Sequence, residues 1–103
     1  MIMMNDLVRQ AQMMQKKMAK MQEELNSKVV EASAGGGMVT VKATGAQEIA
    51  EIRIEKDVVD PEDVEMLQDL LLAATNDALK RAKDMVQGEM AQLTGGMKIP
   101  GLF

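Results

Sequence analysis

The chain has 103 residues, a formal net charge of −4, 12 Met and 1 Phe, and no Trp, Tyr, Cys or His. Without Cys, a disulfide framework and a thiolate metal site are excluded. Without His, Cys or Tyr, the usual general bases and nucleophiles reduce to carboxylates, Lys, Ser and Thr, so a non-enzymatic binding protein is expected, with no small-molecule substrate and no cofactor.

From Met4 to Leu25 the apolar residues Met4, Leu7, Ala11, Met14, Met18, Met21 and Leu25 recur at alternating spacings of three and four. That is a coiled-coil-like seam and predicts a helix over about residues 4–26. Asp6, Arg9, Lys16 and Lys17 interrupt the apolar stretch that a secretory signal needs, and no window approaches a membrane span, so a cytoplasmic protein without a membrane partner is expected. Three β-type runs follow at about residues 29–34, 38–44 and 48–55. Gly35-Gly36-Gly37 separates the first two and Gly45-Ala46-Gln47 the second pair, which predicts an antiparallel meander. Val39, Val41 and Ala43 alternate with Thr40 and Lys42, and Ala50, Ile52 and Ile54 with Glu51 and Arg53, so one face is expected buried and one wet.

Asp60-Pro61-Glu62-Asp63 reads as a helix start, with Asp60 as N-cap and Pro61 in the first helical position. Thr94-Gly95-Gly96 reads as its stop, which predicts a helix over about 61–93 and a tail over 94–103. Such a helix is roughly 50 Å long, whereas a compact domain of this length has a diameter of roughly 34 Å. Part of it must project. Around Leu67, Leu70, Leu71, Leu72 and Ala74 the apolar surface widens beyond what one three-stranded sheet would cover, so these residues are the candidate dimer interface. The expected fold is α+β, a helix, a meander and a helix, assembled as an intertwined or face-to-face homodimer with projecting helix ends. With few aromatics to fill the core, the methionines are expected to do so.

Gly35-Gly36-Gly37 has no following Gly-Lys-Ser/Thr and joins strands, so it is a turn and not a phosphate cradle. The acids between Glu55 and Asp69 lack the spacing of a calcium loop and suit helix capping and a solvated face; no metal is expected. Soft copper(I) ligation by Met1, Met3, Met4, Met18 and Met21 competes poorly with packing along the seam. Met13 lies off the seam, in line with Arg9, Lys16 and Lys20, which follow one another along the outward face. These three cations, with Lys17 beside them and a smaller patch of Lys80, Arg81 and Lys83, are the candidate DNA contacts. Cations so arranged release counterions from phosphates. The near absence of aromatics favours duplex over single-stranded nucleic acid.

Leu7-Val8-Arg9-Gln10-Ala11-Gln12-Met13-Met14-Gln15-Lys16-Lys17-Met18, Ala34-Gly35-Gly36-Gly37-Met38-Val39, Thr75-Asn76-Asp77-Ala78-Leu79, and the tail Leu93-Thr94-Gly95-Gly96-Met97 through Pro100-Gly101-Leu102-Phe103 together resemble the bacterial YbaB/EbfC nucleoid-associated proteins, from end to end. The resemblance implies one YbaB-like DNA-binding domain over residues 1–103. It also implies a homodimer with helical prongs that binds duplex DNA, alters its conformation and resides in the nucleoid, with effects on nucleoid organisation and gene expression. The alternative from the residues alone is a non-enzymatic protein-interaction adaptor, in which the Met-rich helices grip a partner.

Overall fold

The computed structural model describes residues 2–93, with side chains from Asn5 onward; the expected helix stop at Thr94-Gly95-Gly96 and the tail 94–103 lie outside the described residues. The order is α1 (Ile2–Asn26), β1 (Val29–Ala34), β2 (Val39–Thr44), β3 (Ile49–Ile54), a 3₁₀ turn (Lys56–Val58) and α2 (Val64–Leu93), an α+β fold. The strands form one antiparallel sheet in the order β1-β2-β3.

Both connections follow from backbone chemistry. Gly35, Gly36 and Gly37 all have positive φ, at 65°, 68° and 95°, a region that costs glycine nothing. In the second turn a non-glycine residue takes the left-handed conformation. Gln47 N–H donates to the Thr44 carbonyl at 2.9 Å, and Gln47, not Gly45, has φ of 63°. This is a turn closed by one left-handed residue, a frequent three-residue hairpin. The Gln47 side chain offsets its strain by donating to the Leu79 carbonyl of α2 at 3.1 Å.

The start of α2 is also corrected. The helix begins at Val64, not Pro61. Asp60 to Asp63 form a turn instead, in which Asp63 N–H donates to the Asp60 carbonyl at 3.0 Å and Glu62 N–H to Asp60 Oδ1 at 2.9 Å. Proline presets the second position of such a turn as readily as the first turn of a helix. Asp63 takes over the capping role, its Oδ1 accepting from Met66 N–H at 3.3 Å.

The core is small and built from short side chains. Ala74, Ala78 and Ala82 of α2, at successive spacings of four, are fully buried against Ala32, Val39, Val41 and Ala43. Alanines let the helix axis lie close to the sheet, and Val30, Ala34, Leu67, Leu70, Leu71 and Leu79 pack around that contact. The expectation that methionines fill the core fails. Among the described residues the buried apolar set contains no Met, while Met13, Met14 and Met18 are exposed. The reason is that the short side chains of β2 and α2 leave no volume for a thioether.

α2 crosses β1 and β2 and stops short of β3. The third strand is therefore buried only in part: Ile54 packs against the core as its alternation predicts, whereas Ile52 is 50% and Ile49 39% exposed. Register accounts for which residues share that face. Val39 pairs with Ile54 and Val41 with Ile52, but an irregularity between Lys42 and Ala43 brings Ile49 opposite Ala43. Ala50 is thus the extra residue of a bulge, and Ile49 replaces it in the apolar row. On the wet face Glu51 bridges Lys42 at 3.5 Å and Arg53 at 3.4 Å.

Candidate nucleic-acid interface

Among the described side chains, those of α1 touch the rest of the chain only at the base of the helix. Leu25 is 2% exposed and Met21 and Gln22 are half-buried, whereas every residue from Asn5 to Lys20 is exposed. Leu25 is held where the second hairpin turn meets α2. Gly45 N–H donates to the Lys28 carbonyl at 3.0 Å, and Lys28 Nζ lies 3.7 Å from Glu89 Oε1 of α2. Gly45 is close enough to Leu25 that a Cβ there would run into the Leu25 carbonyl. From this anchor the helix runs out as a prong. The Cα radius of gyration is 19.8 Å and the longest extent 75 Å, against roughly 13 Å expected for the radius of a compact chain of this length.

The prong has two unlike sides. Leu7, Ala11, Met14 and Met18 continue the stripe that Met21 and Leu25 bury at the base, and Leu7 is 64% exposed. Arg9, Lys16 and Lys20, with Met13 among them, lie roughly 150° round the helix from that stripe at 100° per residue. Lys17 stands roughly 70° from the middle of the cationic strip, between strip and seam. Residues 7–22 carry these four cations and no acid; Asp6 precedes them and Glu23 and Glu24 follow. Among the described residues Arg9, Lys16, Lys17 and Lys20 enter no ion pair, so their heads are in water with their charge uncompensated.

The α2 cations do not form one surface. Lys80 and Lys83 are neighbours at i, i+3 and exposed. Arg81 is turned over the sheet edge, where Nε lies 3.3 Å from Asp77 Oδ2 and Nη1 donates to the Glu31 carbonyl at 3.4 Å. It lines a shallow polar depression with Glu31, Ser33 and Thr40. Much of its charge is thus compensated locally, unlike the prong's.

The candidate dimer residues also separate. Ala74 is fully buried within its own chain, and Leu67, Leu70 and Leu71 pack on the same core. Leu72, 63% exposed, points away from it. Ile49 and Ile52 of β3 are exposed as well, on the part of the sheet that α2 does not cover. Alternation alone implies a buried third strand, and so conceals the two isoleucines. The signal for them lies in the width of a single helix, about 10 Å against a strand spacing of about 4.8 Å, which covers two strands of a sheet more readily than three.

A cationic, unpartnered helix carried on a minimal α+β core defines a class of small charged-prong proteins. Comparison with known proteins narrows this. The model of the YbaB/EbfC DNA-binding family matches residues 1–97. A nucleoid-associated protein of Acetivibrio thermocellus is 62% identical over 100 residues, covering 96% of this chain and 88% of its own length. One from Pelotomaculum thermopropionicum is 55% identical, covering 97% and 95%. The crystal structure of an uncharacterized Helicobacter pylori protein superposes with a TM-score of 0.72 at 25% identity, over 85% of this chain and 92% of that one. The chain belongs to the YbaB/EbfC DNA-binding family.

Proposed function

We propose that the protein is a non-catalytic, nucleoid-associated homodimer that binds duplex DNA through the outward cations of α1 and alters its conformation. The observation that carries this is the acid-free stretch 7–22, whose four cations stand uncompensated on an exposed helix. In water a lone cation gains little from one distant charge, but several aligned along a polyanion each displace a condensed counterion. The net charge of −4 does not oppose this, because nine of the 16 acids lie in residues 46–69, away from the prong sequence.

The dimer reading rests on the exposed apolar side chains of Ile49, Ile52 and Leu72, which a second copy would cover about a two-fold axis. Two prongs held by one particle touch a duplex at separated points. Simultaneous contact then constrains the path of the DNA between them, which is how a binder with no base-reading motif changes DNA shape. Localisation to the nucleoid, and effects on its organisation and on gene expression, follow from such binding.

The test is an anisotropy titration of duplex DNA at several salt concentrations, with the unaltered chain and with Arg9, Lys16 and Lys20 all changed to Gln. For every phosphate the variant no longer neutralises, the magnitude of the log-affinity against log-salt slope should fall by roughly 0.9, up to about five units for both copies. Affinity should weaken similarly across DNA sequences. An unchanged slope in a folded triple variant would move the DNA surface to Lys80 and Lys83. Failure of the unaltered chain to bind at low salt would favour the adaptor reading.

A further inference from the structure

The base of α1 and its outer part carry the same apolar stripe, but only the base is covered. Leu7, Ala11, Met14 and Met18 keep the alternating three and four spacing of a narrow two-position seam, not the wider stripe of a helix that lies on a sheet. Such a seam fits another helix. Its borders are nearly neutral, Val8 and Gln15 on one side and Gln10 and Lys17 on the other, so they select no charged partner.

We infer that this seam pairs, antiparallel, with the α1 seam of a copy belonging to another dimer. The two orientations differ in fit. Antiparallel pairing sets Ala11 against Met14 and Leu7 against Met18, so small faces large in one layer, and it brings Gln10 beside Lys17 and Val8 beside Gln15 with no like charges opposed. In-register parallel pairing sets Ala11 against Ala11, leaves a gap there, and forces two globular bodies side by side. Antiparallel prongs keep the bodies apart at opposite ends. The cationic strips, roughly 150° from the seams, then face away from each other and present two separate surfaces to DNA. That last step rests on the DNA-binding reading, and the assignment of the partner helix to another dimer rests on the homodimer reading; the antiparallel fit of the seams rests on neither.

Two heptads are short for an independent coiled coil, which usually needs three or four. The contact is therefore weak between free dimers and becomes effective when a dimer offers two prongs and DNA concentrates them.

The chain has no Cys, so single cysteines report cleanly. Full-length Ala11→Cys and Met14→Cys chains, one carrying a mass tag, are mixed in a glutathione redox buffer with and without a duplex, and the disulfides are quantified. The expected result is a mixed Ala11→Cys to Met14→Cys product well above the statistical share, enriched by DNA and sedimenting at four chain masses. Met13→Cys, on the opposite side, should cross-link no more than chance. A statistical mixture, a dominant Met14→Cys homodisulfide, or a mixed product that sediments at two chain masses overturns the inference. In the second arm, the uncharged Met14→Gln should leave the affinity and salt slope for one duplex unchanged, while capture of a labelled second duplex by an immobilised one falls by about tenfold or more. Unchanged capture also overturns it. Failure of DNA binding itself would appear in the salt titration of the unaltered chain, and leaves the thiol capture without DNA as an independent reading.

Discussion

Replacing Gly45 with Ala tests how the prong is held. The backbone there does not need glycine, because its φ lies outside the left-handed region that the glycines of the first turn occupy. Space alone excludes a side chain. A Cβ would run into the Leu25 carbonyl oxygen, sit 2.7 Å from its carbon and 3.2 Å from Val86 Cγ2. The first two neighbours are backbone and have no rotamer to change, so α1 must shift at its base by roughly 1 Å. Overpacking of this kind costs about 1–3 kcal/mol, whereas the reduced freedom of the unfolded chain on going from Gly to Ala returns only about 0.4–1 kcal/mol. The clash wins, and a net destabilisation of about 1–2 kcal/mol should lower Tm by roughly 4–16 °C for a domain of this size. Differential scanning calorimetry at matched protein concentration reads this, since the proposed dimerisation would make Tm concentration-dependent. A Tm equal to or above that of the unaltered chain would refute the packing of Leu25 against Gly45 as the anchor of α1.

Gly88→Ala is the opposite case: no atom lies within 4 Å of its Cβ position and it sits inside α2, so stability should rise by about 1 kcal/mol, read by the same calorimetry. Val41→Ala removes buried volume beneath the alanine stripe and should cost about 2 kcal/mol in urea unfolding, without changing the salt slope of DNA binding. Ile52→Asp and Leu72→Asp each place a charge on an exposed apolar position of the proposed dimer contact and should turn dimer into folded monomer in sedimentation, with the circular dichroism of the helices kept; a persisting dimer would place the two-fold contact elsewhere. Ala78→Leu inserts bulk where helix and sheet are closest and should lower stability by about 1–3 kcal/mol or more by thermal denaturation.

The order of elements was legible because each is written in local terms: the three and four spacing of α1, the alternation of β2, and three glycines that no other residue type replaces cheaply in succession. Less legible were features set by competition. Asp60 and Asp63 are both capable caps, and the turn that Pro61 favours decides between them. Ala50 and Ile49 are both apolar, and only the pairing with Ala43 shows which belongs to the row. Leu72 and Ala74 read alike in an apolar run, yet one is exposed and the other enclosed, because two residues along a helix turn a side chain to nearly the opposite side and only Ala74 shares the phase of Ala78 and Ala82. The cations of α1 were legible as a strip from periodicity alone. That Arg81 differs from Lys80 and Lys83 depends on Glu31 and Asp77, one of them fifty residues away.

The anchoring of α1 at one end has a mechanical consequence. Arg9 lies 16 residues from Leu25, which is roughly 24 Å along the helix. A swing of about 10° at the base therefore carries Arg9 through roughly 4 Å, while Lys20, only five residues out, moves by little more than about 1 Å. If the α1 cations contact phosphates as proposed, the prong would act as a graded caliper, its inner charge nearly fixed and its outer charge able to follow grooves of differing width. The clearance around Gly45 would then limit the swing at the pivot.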